Sequence, residues 1–177
     1  LKFWHYLWLA LLGWSLTVYA DDVETHAPTL TDLSINIKQS ENEVLSQIDG
    51  EPEMQIIGYF DAKTAKIHTK PRQNSQFVRK LWGKNANGDF ILQDFYLHDD
   101  NDNQPMTSAY ILPKKQNPKR KAIMGRVQAA ALAWYRETGL PEKVMLFDEN
   151  QRINKVYHFD ETGSLSKMLD FSDNLSM

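Results

Sequence analysis

The sequence contains no cysteine. That absence excludes disulfides, a thiol nucleophile and cysteine-ligated zinc together. It also excludes the lipidated cysteine of a bacterial lipoprotein, so a form cut from its leader is expected to be soluble and held by its core alone. Other absences narrow the chemistry further. His26, His68, His98 and His158 stand at no metal-ligand spacing, and there is no His-Glu-x-x-His pattern. There is no Gly-x-Ser-x-Gly elbow and no phosphate-cradling glycine loop. The acids cluster in hydrophilic turns, where carboxylates mostly solvate. No cofactor is expected. The stretch His98–Gln104 has oxygen ligands at Asp99, Asn101 and Asn103, but Gln104 and Tyr110 stand where an EF-hand needs Gly and Glu.

What is present begins with LKFWHYLWLALLGWSLTVYA, residues 1–20. One lysine, an apolar run and the ending Val18-Tyr19-Ala20 have the layout of a cleavable signal peptide. A membrane anchor is the alternative, since a span needs roughly 20 apolar residues. The signal reading predicts an exported protein, periplasmic or extracellular. Residues 21–53 carry Asp21, Asp22, Glu24, Asp32, Glu41, Glu43, Asp49, Glu51 and Glu53 against Lys38. Basic residues dominate the stretch 63–122. Either the acidic lead-in folds onto the basic middle, or that middle meets an anionic partner.

Ser40-Glu41-Asn42-Glu43 matches a capping box and predicts a short helix over 41–48, closed by Gly50 and Pro52. Leu33, Ile35 and Ile37 alternate and suggest a short strand. From Met54 the texture is that of strands: 54–60, 77–82, 90–98 and 110–112, divided by turn-prone clusters. Asn87-Gly88 signals a hairpin. Residues 122–135 fit helix by alanine content, and strand because Trp134-Tyr135 is in phase with the C-terminal repeats. Lys114, Lys115, Lys119, Arg120 and Lys121 fill a loop that Pro113 and Pro118 are expected to keep extended.

The C-terminal part repeats itself every twelve residues, as WYRETGLPEKVM (134–145), LFDENQRINKVY (146–157) and HFDETGSLSKML (158–169). One turn and one strand per unit describes an antiparallel meander. Each turn suits a three-residue loop whose last residue is left-handed, where Gly is favoured. Gln151 replaces that Gly in the middle turn, which is expected to be strained or differently built. With Asp160 opposite Ser164, Phe159 meets Leu165 and Tyr157 meets Lys167. An unbroken register then lines up Val144, Val156 and Met168 on a second face. That ladder is either covered by the N-terminal half or open as a partner-binding stripe.

These units, together with LFDEN…INKVYHFDETGSLSK, resemble the MORN-variant repeats of bacterial proteins over about 134–171. RKLWGKNANGDFILQDFY (79–96) resembles small exported proteins of Gram-negative bacteria of the neisserial kind. The resemblance implies a β-repeat architecture and an envelope or extracellular setting. Some bearers of such repeats are labelled antitoxin-like, a role not carried over here, and residues 21–58 fall outside the resemblance.

The expectation is therefore a mainly β domain over 54–177 behind an acidic lead-in with a short helix. Its expected role is a non-enzymatic interaction module for a protein or an anionic envelope component. Nucleic acid is the weakest partner, because no aromatics interleave the basic loop. The expected binding residues are the five loop cations with Val144, Val156 and Met168. The alternatives are a hydrolase of an envelope polymer, which needs convergent carboxylates or His68 beside His98, and a structural role in envelope assembly.

Overall fold

The computed structural model describes residues 27–63, 67–98, 104–120 and 127–172. The expected signal segment, residues 99–103 of the acidic loop, Lys121 and the ambiguous residues 122–126 lie outside the described residues. The protein is mainly β with minor α. Among the described residues one helix, α1 (Leu30–Leu45), precedes β1 (Gln55–Phe60), β2 (Phe77–Lys84), β3 (Phe90–Tyr96), β4 (Tyr110–Leu112), β5 (Ala131–Tyr135), β6 (Pro141–Phe147), β7 (Ile153–Phe159) and β8 (Leu165–Asp170).

The helix starts eleven residues before the expected place. Thr29 is its cap: its hydroxyl accepts from the Asp32 N–H at 3.2 Å, and the Asp32 carboxylate accepts from the Thr29 N–H at 2.9 Å. The Thr29 hydroxyl also donates to that carboxylate at 2.6 Å, and this bond, with that from the Thr29 N–H, holds the Asp32 carboxyl below its usual range. Leu33, Ile37, Ser40 and Val44 form the buried stripe, at helical spacing. The expected strand at Leu33–Ile37 is thus helical, and Ile35 between them is 62% exposed. Three alternating apolar residues fit either period, and the earlier cap decides. Ser40, the expected cap, sits inside the helix instead.

Strands β1 to β4 form one antiparallel sheet in sequence order, and β5 to β8 form a second. The β2–β3 turn is closed by Asn85, whose side-chain oxygen accepts from the N–H groups of Asn87 and Asp89, with Gly88 at φ 82°. Beside β1, the chain at Ile67–His68 crosses Gly58. Tyr59 and His68 exchange backbone hydrogen bonds of 2.7 and 2.8 Å there, and a side chain at Gly58 would collide with the His68 carbonyl.

The two sheets meet edge to edge along β4 and β5. Ile111 and Gln128 exchange two backbone bonds, Ser108 donates to Ala133 O at 3.0 Å, and Tyr135 donates to Met106 O at 2.8 Å. Between these bonds the helix completes the join. The Ser40 hydroxyl donates to Ala131 O at 3.0 Å and accepts from Ala131 N at 2.9 Å. Glu41 accepts from the Ala109 N–H at 3.0 Å and from Gln93 at 3.2 Å. Gln93 also accepts from the Trp82 indole and donates to Thr107 O. Two helix side chains therefore satisfy strand groups that would otherwise be buried unpaired.

Apolar burial follows this arrangement. Leu33 and Ile37 pack on Ala131, Ala133, Val144, Tyr157 and Phe159. Val44 packs on Ile91, Ala109, Ile111 and Ala129. A third cluster joins Leu92, Tyr110 and Leu112 of the first sheet to Leu132 of the second, with Trp134 and Phe147 against it. Each fully buried side chain of this kind stabilises by about 1.5–3 kcal/mol.

The turns of the second sheet are built alike. Gly139, Gln151 and Gly163 each donate back three residues, to the carbonyls of Arg136, Asp148 and Asp160, and all three have positive φ: 86°, 60° and 83°. Asp148 and Asp160 each accept from the N–H groups two and four residues on. Gln151 holds the left-handed position without being glycine. Its side-chain oxygen accepts from the buried Ala129 N–H at 3.0 Å, a bond glycine cannot make.

Candidate functional site

The basic loop is folded rather than extended. Gln116 N donates to Pro113 O and Arg120 N to Asn117 O, closing two successive turns. Lys114 is tied to the β2–β3 hairpin, its N–H to Asp89 at 2.9 Å and its ammonium to Asn87 O at 2.8 Å. Three consecutive carbonyls turn inward. Arg79 donates through Nη1 to Pro118 O at 3.0 Å and to Arg120 O at 2.6 Å, and Ile67 N donates to Lys119 O at 3.1 Å. The side chains of Lys115, Lys119 and Arg120 are left exposed.

The group that anchors the loop is itself buried. Arg79 and Asp94 are cross-strand partners on β2 and β3. They meet through Nε–Oδ1 at 2.6 Å and Nη2–Oδ2 at 2.8 Å, and both side chains are 1% exposed. The guanidinium carbon lies 5.6 Å from the Phe60 ring centre. Burial alone would lower the Arg79 pKa, but the Tyr110 and Asp94 groups outweigh it and the net shift is upward. Burial, then the Asp94 charge, pushes the Tyr110 phenol well above its usual range. Its hydroxyl stands near the pair without a well-formed hydrogen bond. A bidentate pair with both Nη1 donors also spent on carbonyls is the arrangement in which a buried charge is tolerated.

The expected Val144–Val156–Met168 ladder does not form. Val144 lies between Ala133 and Tyr157 in its row, while Val156 lies between Met145 and Leu169. Phe159 does meet Leu165, but His158 then meets Lys167 and Tyr157 meets Met168. Each pairing is broken by its own bulge, at Asn154 between β6 and β7 and at Ser166 between β7 and β8, where the Ser166 hydroxyl returns to His158 O at 3.0 Å. Val144 is covered by α1 at 0% exposure and Val156 is buried, so neither is available as a stripe. Met168 stays exposed on the outer strand with Leu165.

The two bulges together assemble a group that the unbroken register concealed. Lys143, His158 and Lys167 lie directly opposite one another across β6, β7 and β8. They share a face with Trp134, whose ring centre is 4.0 Å from the Lys143 ammonium. Burial lowers the Lys143 pKa, with the Glu142 charge opposing. Lys155 falls on the opposite face and pairs with Asp170 at 3.3 Å. The twelve-residue recurrence of lysine was the available signal, but it could not say which lysines share a face.

Of the two histidines a hydrolase would bring together, His68 is bridged to Tyr59 and His98 lies 3.7 Å from Glu137. Among the described residues there is no cluster of three His, Asp or Glu fit to hold a metal, and no helix is long and apolar enough to cross a membrane. Comparison with family models, with characterised proteins and with solved structures finds no match.

Proposed function

We propose that the protein is a non-enzymatic interaction module that binds an anionic component of the cell envelope through the basic loop. One observation carries this reading: Arg79, buried and paired with Asp94, spends its Nη1 donors on the loop carbonyls of Pro118 and Arg120. The exposed Lys115, Lys119 and Arg120 side chains are thereby presented from a fixed backbone, which limits the ordering cost of binding. Clustered cations on such a base raise the local concentration of a polyanion and bind it in a salt-dependent way. An exported setting rests on the sequence of residues 1–20, and the MORN-like resemblance agrees with an envelope role.

The test is retention on an immobilised acidic polysaccharide over a salt gradient, for the folded chain and for Lys115→Gln/Lys119→Gln/Arg120→Gln. Retention should be lost at lower salt in the triple variant with unchanged thermal stability. Equal elution of the two proteins removes the reading. A second reading, capture of a protein strand along β8, is favoured by exposed Leu165 and Met168 on that outer strand.

A further inference from the structure

We propose that Lys143, His158 and Lys167 form a binding site for a phosphate-type oxyanion on the second sheet. This site lies on other strands than the basic loop and stands whether or not that loop binds anything.

Like charges placed directly opposite in a sheet destabilise it. Here two lysines flank a histidine in one row, and no carboxylate among the described residues forms an ion pair with any of the three. The acids that act on this neighbourhood are engaged or aside: Asp160 is bound by Thr162 and Ser164, and Glu142 is an exposed residue displaced by the bulge in the β5–β6 pairing. Lys143 is half-buried, with the Trp134 ring as its neighbour, so part of its hydration is already removed. Strand spacing puts the two lysine backbones roughly 10 Å apart, with His158 midway. Two flexible arms can close over an ion of phosphate size from either side of an imidazole donor at that spacing.

A second observation points the same way. Arg136 follows β5 directly, at the start of the turn to β6. Its Nη2 donates to Phe159 O at 2.9 Å, next to His158. Its Nε is buried and makes no hydrogen bond, although unpaired buried donors are rare. Four basic side chains from β5–β8 and the turn after β5 therefore gather, and among the described residues no carboxylate forms an ion pair with any of them. The neighbouring row on the face of Lys143 and His158 is apolar, Leu132, Met145, Val156 and Leu169, so the oxyanion is either a free phosphate or phosphoester or the head group of an anionic lipid.

The experiment uses the chain with Lys115, Lys119 and Arg120 changed to Gln, so that the loop contributes nothing. Inorganic phosphate is titrated while backbone amide resonances are followed, and binding to phosphatidylglycerol vesicles is compared with phosphatidylcholine vesicles. Saturable shifts centred on residues 143, 158 and 167 are expected. Lys167→Gln, an exposed change, should weaken binding roughly ten-fold without lowering stability in the absence of phosphate. Lys143→Gln should do the same if it folds. Binding of phosphate alone supports the site with a soluble ligand, and selective binding of phosphatidylglycerol that Lys167→Gln abolishes supports it with a lipid head group. Unsaturable shifts with no vesicle selectivity, or affinity unchanged in Lys167→Gln, overturn it.

Discussion

The Ser40 hydroxyl both donates to and accepts from the backbone of Ala131, ninety-one residues further along the chain. A single helix side chain thus satisfies two buried groups at the junction of the sheets. Ser40→Ala leaves both unpaired, and a cost of about 1–3 kcal/mol is expected in chemical denaturation. Ser40→Thr keeps the hydroxyl and should recover part of it. A loss within experimental error for Ser40→Ala would show that the bonds are not needed to join β4 and β5.

The Arg79–Asp94 pair yields a prediction with two parts. Asp94→Asn leaves a buried cation without its carboxylate, at a cost of about 3–5 kcal/mol. Replacing both partners, as Arg79→Met with Asp94→Leu, should restore much of that stability while releasing Pro118 and Arg120. The Ile67 amide, bonded to Lys119 O, would then exchange its hydrogen faster although the fold persists. Unchanged protection of Ile67 in the double variant would show that Arg79 does not hold the loop.

At Gln151 the two substitutions should rank. Gln151→Ala keeps the unfavourable positive φ and strips Ala129 N of its acceptor, costing about 1–3 kcal/mol. Gln151→Gly loses the same bond but relieves the backbone, so it should exceed Gln151→Ala in stability by roughly 1 kcal/mol. Thermal melts of the three proteins decide the order.

Acid should loosen the turns of the second sheet. The Asp160 carboxyl is held below its usual range by the Thr162 hydroxyl and by the Ser164 and Thr162 amides, and Asp148 is lowered chiefly by the Arg152 amide. A depressed folded-state pKa means stability present above the unfolded carboxylate value of about 3.9, lost as pH falls through the folded value. The melting temperature of Asp160→Asn should therefore fall less than that of the unaltered protein between about pH 5 and about pH 2. Parallel curves would show that Asp160 contributes nothing to the acid response.

Much of this architecture was legible in the residues. Asn87-Gly88, Gly139 and Gly163 marked turns because a positive φ selects so few residue types, and Phe159 opposite Leu165 followed from loop length alone. The departures in register arise from bulges in successive hairpins, with Glu142, Asn154 and Ser166 each passed over in the pairing. In β8 the inserted residue is Ser166, whose hydroxyl bonds the His158 carbonyl. That one residue put Met168 beside Tyr157 rather than Val156, and Lys167 beside His158. The true start of the helix was hidden because Ser40–Glu43 imitates a cap, while Ser40 and Glu41 are there for strand groups distant in sequence. The loop lysines were visible by composition, but their anchorage depends on Arg79, which nothing local connects to Pro118.

Joining two sheets through a helix also sets an order of assembly. The strands of each sheet are neighbours in sequence and can pair early, whereas Ser40 reaches Ala131 only after a long loop has closed. Until then β4 and β5 both present unpaired edges, the surface on which chains template one another into aggregates. Any cleavage that removes Leu30–Leu45 should uncover the Ala131 backbone and the apolar groups beneath Leu33, Ile37 and Val44, so the helix acts as an internal guard against that fate.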